Sequence, residues 1–369
     1  MKGLRFSLLG DRVFVFITLA LLLSGTAIFF SSALGLLARD GASISHIALT
    51  QFVLGVIPGI IALVLLRLVP PNLLVKMAVP AYIAGLLFTA LVFVPSLGVT
   101  ANNAVRWLNF GFFTVQPSEF LKVATVLMLA AYLSRVRGSL SDFRKGLLPL
   151  GAILALPAII FVFQPNTSTL IILGLTTVVM YFLAGAPLRD FFIIAVVGVA
   201  LATVLVMHRP YLKQRVETFI HPSQNSLTSG YQIQQSLIAI GSGGTFGRGF
   251  GQSVEKFNYL PEPVGDSIFA IVGEELGFVG ASLLVLLFLA FALRGFAIAA
   301  SAANPFGTLL VAGLTLLIIL SALLNVSAML GALPLTGLPL PFISQGGSAL
   351  FVALASIGLI LNVAASRKR

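Results

Sequence analysis

In residues 259–277, YLPEPVGDSIFAIVGEELG, three carboxylates, Asp266, Glu274 and Glu275, stand at and just inside the start of a long apolar run. Only 11 Asp and Glu occur in 369 residues, in a chain that is 58% hydrophobic. A carboxylate at the edge of hydrocarbon costs roughly 2–3 kcal/mol by insertion scales, so its presence points to a purpose. Asp266 has two readings. As N-cap of the helix that follows, it would contribute about 1 kcal/mol. The same place suits a general base, because partial desolvation raises a carboxylate's proton affinity toward neutrality and lets it take a proton from a hydroxyl. Glu274 and Glu275 lie roughly two to three turns deeper and, being adjacent, point about 100° apart on a helix. They are not expected to face one partner, and a structural role is the favoured reading for them.

A second group is Gln116-Pro117-Ser118-Glu119-Phe120-Leu121-Lys122. Pro117 suits a first helical turn, and Glu119 there meets the positive end of the helix dipole. Glu119 and Lys122 share a face and can pair. Such a pair either makes burial tolerable or contacts a substrate, and both readings stand. Gln164-Pro165-Asn166-Thr167-Ser168-Thr169 reads as a tight turn with Asn166 or Thr167 as N-cap. Residues 333–348, LPLTGLPLPFISQGGS, mix Pro and Gly and read as a backbone-lined cavity wall. The three histidines (His46, His208, His221) lack metal-site spacing, and the absence of cysteine removes disulfides and thiolate ligands. A divalent cation stays open as a cofactor, with Asp266 and Glu119 as oxygen donors.

The elements that must hold these groups are transmembrane helices. A mean hydropathy of +1.08 with 9% charged residues excludes an ordinary soluble domain. Runs long enough to cross about 30 Å of hydrocarbon fall at 13–36, 46–68, 72–94, 117–134, 147–164, 167–184, 190–207, 266–293, 306–328 and 346–365. The expected fold is all-α: ten transmembrane helices in a single polytopic domain over 1–369. The apolar run after the N-terminus is too long for a signal peptide's core and is read as a retained helix. With both termini cytoplasmic, Arg39, Arg106, Lys122, Arg209, Lys213, Arg215, Arg248 and Lys256 fall outside and the other 14 of 22 Lys and Arg inside. That distribution obeys the positive-inside bias. Seven of the outer eight fall in 101–122 and 208–265, a distribution that suggests an anionic ligand approached from outside. A net charge of +11 does not imply nucleic acid, since no soluble basic domain exists to bind it.

The 208–265 segment is expected to be a large extracytoplasmic loop. Residues 233–240 within it suit a short re-entrant or interfacial helix. Residues 241–251 hold six glycines and must be irregular backbone, which near membrane depth needs burial in protein or a wet cavity. The loop is therefore placed over, and partly into, the helix bundle. A nucleotide-loop reading of GRGFG fails for want of a preceding strand and a following Gly-Lys-Ser/Thr.

QPSEFLK, YQIQQSLIAIGSGGTFGRGFGQS, YLPEP–GDSIFAIVGEELG and LPLTGLPLPFISQGGS, in this order along nearly the whole chain, resemble the FtsW/RodA-type SEDS family (shape, elongation, division and sporulation). The GFGQSVEKFNYLPEP spacing looks more like its division (FtsW) and sporulation members. The resemblance implies a peptidoglycan glycosyltransferase of the bacterial cytoplasmic membrane. Such an enzyme polymerises the disaccharide units of lipid II on the outer face, beside a class B penicillin-binding protein as transpeptidase. It implies Asp266 as the base for the acceptor sugar's 4-hydroxyl. Arg106, Trp107, Glu119, Lys122, Arg215, Gln235 and Ser236 match the family's substrate-site positions. The chain departs from the pattern at Val264-Gly265 (usually His-Thr), Asn166 (usually Asp), Thr50 (usually basic, before Gln51) and Gln345 (usually Tyr). Loss of one acid and one cation would weaken the outer polar site or shift its substrate preference. Two other functions compete: a flippase for the same lipid, which intramembrane acids and broken helices also suit, and a weakened scaffold that activates a partner synthase.

Overall fold

The structure is a computed structural model and describes residues 11–40, 51–101, 104–111, 113–221 and 229–366. Lys2, Arg5, His46, Thr50, Arg367, Lys368 and Arg369 lie outside the described residues, as does the side chain of Arg39. Of the described residues, 75% are helical. Helices occupy all ten apolar runs: α1 (Arg12–Asp40), α2 (Phe52–Leu68, opening on a π-helical turn), α3 (Pro71–Ala90), α4 (Pro117–Val136), α5 (Leu147–Phe163), α6 (Thr167–Leu183) and α7 (Leu188–His208) in the first part of the chain. The chain then makes three helices absent from the count of spans, α8 (Pro210–Ile220), α9 (Ser229–Ser242) and the short α10 (Glu255–Asn258). Finally α11 (Ile268–Ala300), α12 (Pro305–Met329) and α13 (Gly347–Ala365) close the bundle. Six of these, α1, α3, α7, α11, α12 and α13, are long and apolar enough to cross a membrane.

The 101–122 connection is more than a loop. With the residues just before it, it forms a three-stranded antiparallel sheet, β1 (Gly98–Ala101), β2 (Ala104–Asn109) and β3 (Thr114–Val115), ordered β1-β2-β3, with Trp107 opposite Val99. Two to six residues per strand is too short for alternation to stand out in the sequence.

Helices α12 and α13 form the centre, with long runs of fully buried residues, and α4 packs beside them. At one end of the bundle Arg294 of α11 grips Asp11 at the foot of α1 through two bonds of 2.9 and 2.7 Å. At the opposite end of α11, Gly277 (φ +65°, ψ −167°) breaks the helix. The glycine-rich segment seats itself there. The amides of Arg248 and Gly249 donate to the carbonyls of Glu274 and Glu275 at 3.0 Å, and those of Phe278 and Val279 donate to Gly244 and Thr245 at 2.9 and 3.1 Å. Backbone from a loop thus completes the interrupted helix, as the glycine content of 241–251 requires.

Glu274 and Glu275 hold that arrangement together, and the expectation that they do not share a partner is corrected. Glu274 accepts from Ser253 Oγ at 2.5 Å and from the Val254 amide at 2.9 Å. Glu275 accepts from the Ser253 amide at 3.4 Å, Ser31 Oγ, the Gly251 amide and Lys256 Nζ at 2.7 Å. The 251–256 loop crosses over the helix, so two side chains about 100° apart reach different atoms of one residue.

Candidate active site

Asp266 precedes α11 in a turn held by several elements. The Glu262 carbonyl accepts from the amides of Gly265 and Ser267 at 3.1 and 3.2 Å. Ser344 Oγ donates to the Gly265 carbonyl and the Gln345 amide to that of Val264, each at 2.7 Å. From α12, Asn325 Nδ2 donates to the carbonyls of both Asp266 (2.8 Å) and Leu338 (2.7 Å). From α9, Gln232 Nε2 reaches Ser267 Oγ at 2.9 Å. Ser267, not Asp266, is the N-cap residue, so the capping reading of Asp266 is corrected: its carboxylate is left for other work.

That carboxylate opens onto a cavity of about 1170 Å³ whose lining includes Arg106, Trp107, Glu119, Tyr211, Arg215 and Glu262. Arg106 projects from β2, its guanidinium donating to the carbonyls of Gln164 (3.4 Å) and Pro165. Arg215 projects from α8, donates to the Thr336 carbonyl at 3.3 Å, and lies 5.9 Å from the centre of the Tyr211 ring. Between Arg215 and Asp266 stands Gly337 at φ +65°. A β-carbon there would sit 3.4 Å from Arg215 Nη2 and 3.5 Å from Asp266 Oδ2. Glycine supplies the positive φ and leaves both groups open to one void. Neither arginine closes an ion pair with Asp266 among the described residues.

Burial pushes the Asp266 carboxyl up to about 6; the nearby charge of Glu262 adds to the rise, while Arg215 and Arg106 oppose it. Burial lowers both guanidinium groups, and Arg215 lowers Arg106 further. Both remain cations at neutral pH. A carboxylate poised near neutrality beside two cations without carboxylate partners can accept a hydroxyl proton while an anionic group is held next to it.

The other expected site residues fall in several places. Trp107 lines the cavity. Glu119 and Lys122 are buried and pair at 2.9 Å. Glu119 faces the main cavity, and with Lys122 it also faces a void of about 50 Å³ beneath it. Gln235 and Ser236 do not line the cavity; Ser236 Oγ is buried against the Gln232 carbonyl and Met329. Four of the eight cations expected on the outer side are already committed: Lys122 to Glu119, Lys213 to Glu217, Arg248 to Glu274 and Lys256 to Glu275. Arg106 and Arg215 are the two that face the cavity without a carboxylate partner.

Asn166 does stand at an N-cap, yet its side chain makes no bond to the helix backbone. It donates instead to Ser118 Oγ at 3.3 Å and accepts from Thr169 Oγ1 at 2.7 Å. Gln51 clamps the 344–346 segment, accepting from the Gly346 amide at 3.0 Å and donating to the Ser344 carbonyl at 3.3 Å. Gln345 lines the cavity. Among the described residues no three carboxylate or imidazole side chains stand within reach of one ion, and Glu119 is already bonded to Lys122. These residues do not form a cation cage, so no step is routed through a metal.

Asn325, Gln232, Tyr211 and Gln51 were not singled out as site residues in the sequence. Asn325 had a signal: an amide in the last turns of a 25-residue apolar helix needs partners.

The family model described as a cell cycle protein, FTSW_RODA_SPOVE, matches residues 12–369. Stage V sporulation protein E of Bacillus subtilis is 40% identical over 273 residues, covering 74% of this chain and 75% of that protein. A probable peptidoglycan glycosyltransferase FtsW of Aliivibrio salmonicida is 33% identical over 356 residues, covering 96% and 88%. A chain solved in work on the structural coordination of polymerization and crosslinking by a peptidoglycan synthase complex superimposes with a TM-score of 0.80. It has 26% identity and covers 96% of this chain and 97% of its own. A match over nearly the full length, together with the apolar helices, makes this a multi-pass membrane protein, and the chain belongs to the FtsW/RodA/SpoVE family of cell cycle proteins.

Proposed function

We propose that this protein is a peptidoglycan glycosyltransferase that joins the disaccharide units of lipid II into glycan strands on the outer face of the bacterial cytoplasmic membrane. Ten helices span, both termini are cytoplasmic, and the 208–265 loop covers the outer end of the bundle. Asp266 takes the proton of the acceptor sugar's 4-hydroxyl. The freed oxygen attacks the anomeric carbon of the donor, and the bond from that carbon to the diphosphate breaks with inversion. The undecaprenyl diphosphate leaves as an anion held by Arg106 and Arg215. Trp107 and the Glu119–Lys122 pair shape the cavity floor, and α9, with Gln235 and Ser236, backs the catalytic turn. The reading is carried by one observation: the Asp266 carboxylate, raised to about 6, opens onto the same void as the two guanidinium groups. A void of 1170 Å³ exceeds the roughly 300–1,000 Å³ of small-ligand pockets, as two lipid-linked sugars require. A class B penicillin-binding protein is the partner, as the synthase complex among the structural relatives suggests.

Purified protein given lipid II, compared with Asp266→Ala, tests this. Polymer from the unaltered protein alone supports the reading. Lipid movement between leaflets without polymer would mark a flippase, and neither activity a scaffold; either result overturns it.

A further inference from the structure

Three carboxylates line the cavity: Glu119, Glu262 and Asp266. Glu119 is neutralised by Lys122, while Glu262 makes no ion pair among the described residues. Glu262 holds φ +47°, a left-handed conformation uncommon for a residue with a side chain. From it the carbonyl collects the amides of Gly265 and Ser267, and the resulting turn brings residues 262 and 266 to one wall. Its side chain then folds back over Gly265, where a β-carbon would lie 3.2 Å from Glu262 Oε2. The space beside Asp266 that a side chain at 265 would take is given to a second negative charge.

We propose that Glu262 is a positioning residue for the reaction, a fixed negative charge folded over Gly265 that makes Asp266 the more avid proton acceptor. Like charges held close favour each other's neutral form, and Glu262 acts on Asp266 in that sense, second to burial and against Arg215 and Arg106. Tyr211 and the Glu119–Lys122 pair are the remaining titratable groups facing the cavity. Glu262 is exposed, while Asp266 on the cavity wall is the group that turns over the proton. This rests on Asp266 acting as the base.

The test is the acid limb of the polymerisation rate against pH for the unaltered protein, Glu262→Gln and Glu262→Asp, with Asp266→Asn alongside. Glu262→Gln is expected to move the limb down by about half a pH unit or more. Its plateau rate should fall about 2- to 5-fold, as befits a weaker base, with KM unchanged. Glu262→Asp keeps the charge and should keep the limb. A Glu262→Gln limb coincident with that of the unaltered protein overturns the inference while leaving the base in place. Equal displacement by both substitutions also overturns it, since only a structural role would ignore charge. Polymerisation by Asp266→Asn at the normal rate removes the base, and the inference with it.

Discussion

Asn325→Leu removes one amide and with it the link between α12 and the catalytic turn. Its Nδ2 holds the Asp266 carbonyl at 2.8 Å and the Leu338 carbonyl at 2.7 Å, so the substitution leaves two acceptors without that donor. A buried carbonyl left unpaired costs about 1–3 kcal/mol, which would set the loss at about 2–6 kcal/mol. Two features reduce it. The turn borders a void of 1170 Å³, from which water can reach the freed Asp266 carbonyl, and Asn325 Oδ1 is itself buried without a partner, so leucine removes one unsatisfied acceptor. About 2 kcal/mol remains, which the bundle tolerates. The functional loss should be larger than the stability loss, because a shift of about 1 Å in a reacting group can cost about 100-fold in rate. The expected result, from glycan-strand synthesis at saturating lipid II and thermal unfolding in the same detergent, is a kcat lower by about 10- to 100-fold. The melting temperature should fall by only a few degrees. A kcat within about twofold of the original would refute the reasoning, for it would mean that the other contacts of the turn suffice to aim Asp266.

Lys256→Met strands Glu275 in a site where both partners are buried; the expected loss is about 3–5 kcal/mol, read as a lower melting temperature, and adding Glu275→Leu should recover most of it. Polymerisation should fall as pH drops through about 6, since burial raises the Asp266 carboxyl to that value and only its ionised form accepts a proton; a rate constant from pH 7 to 5 would count against it. Arg215→Ala and Arg106→Ala should each lower kcat/KM by about 10- to 100-fold, as for loss of a charge-assisted contact worth about 1.5–3 kcal/mol. Lys213→Ala, whose partner is the exposed Glu217, should leave kcat/KM within about twofold.

The positions of the helices were legible because apolar runs this long leave little choice, and so was the irregular backbone of 241–251, except that Gly241 and Ser242 still belong to α9. The Glu119–Lys122 pair followed from spacing alone. What the sequence concealed was commitment. Lys256 looked like an outward cation available to a ligand, yet it is fully buried and bound to Glu275, Ser31 and the Gly251 carbonyl. That pairing spans α1, the loop and α11, and no local pattern reports it. The same holds for Asn325, whose partners come from two segments that only the folded chain brings together. Helix α8 was missed for a different reason: Pro210 and a mixed polar face fit a helix as well as a loop, and only docking against α7 and α9 decides between them.

Binding and polymerisation measured side by side on Asp266→Asn test the central claim most directly. The substitution removes the proton acceptor and keeps the shape, so labelled lipid II should bind with a Kd within a few-fold of the original while no glycosidic bond forms. Strand synthesis by Asp266→Asn at an appreciable fraction of the normal rate would contradict the claim. So would loss of binding in proportion to the loss of rate, which would make Asp266 a ligand for the substrate and not its base.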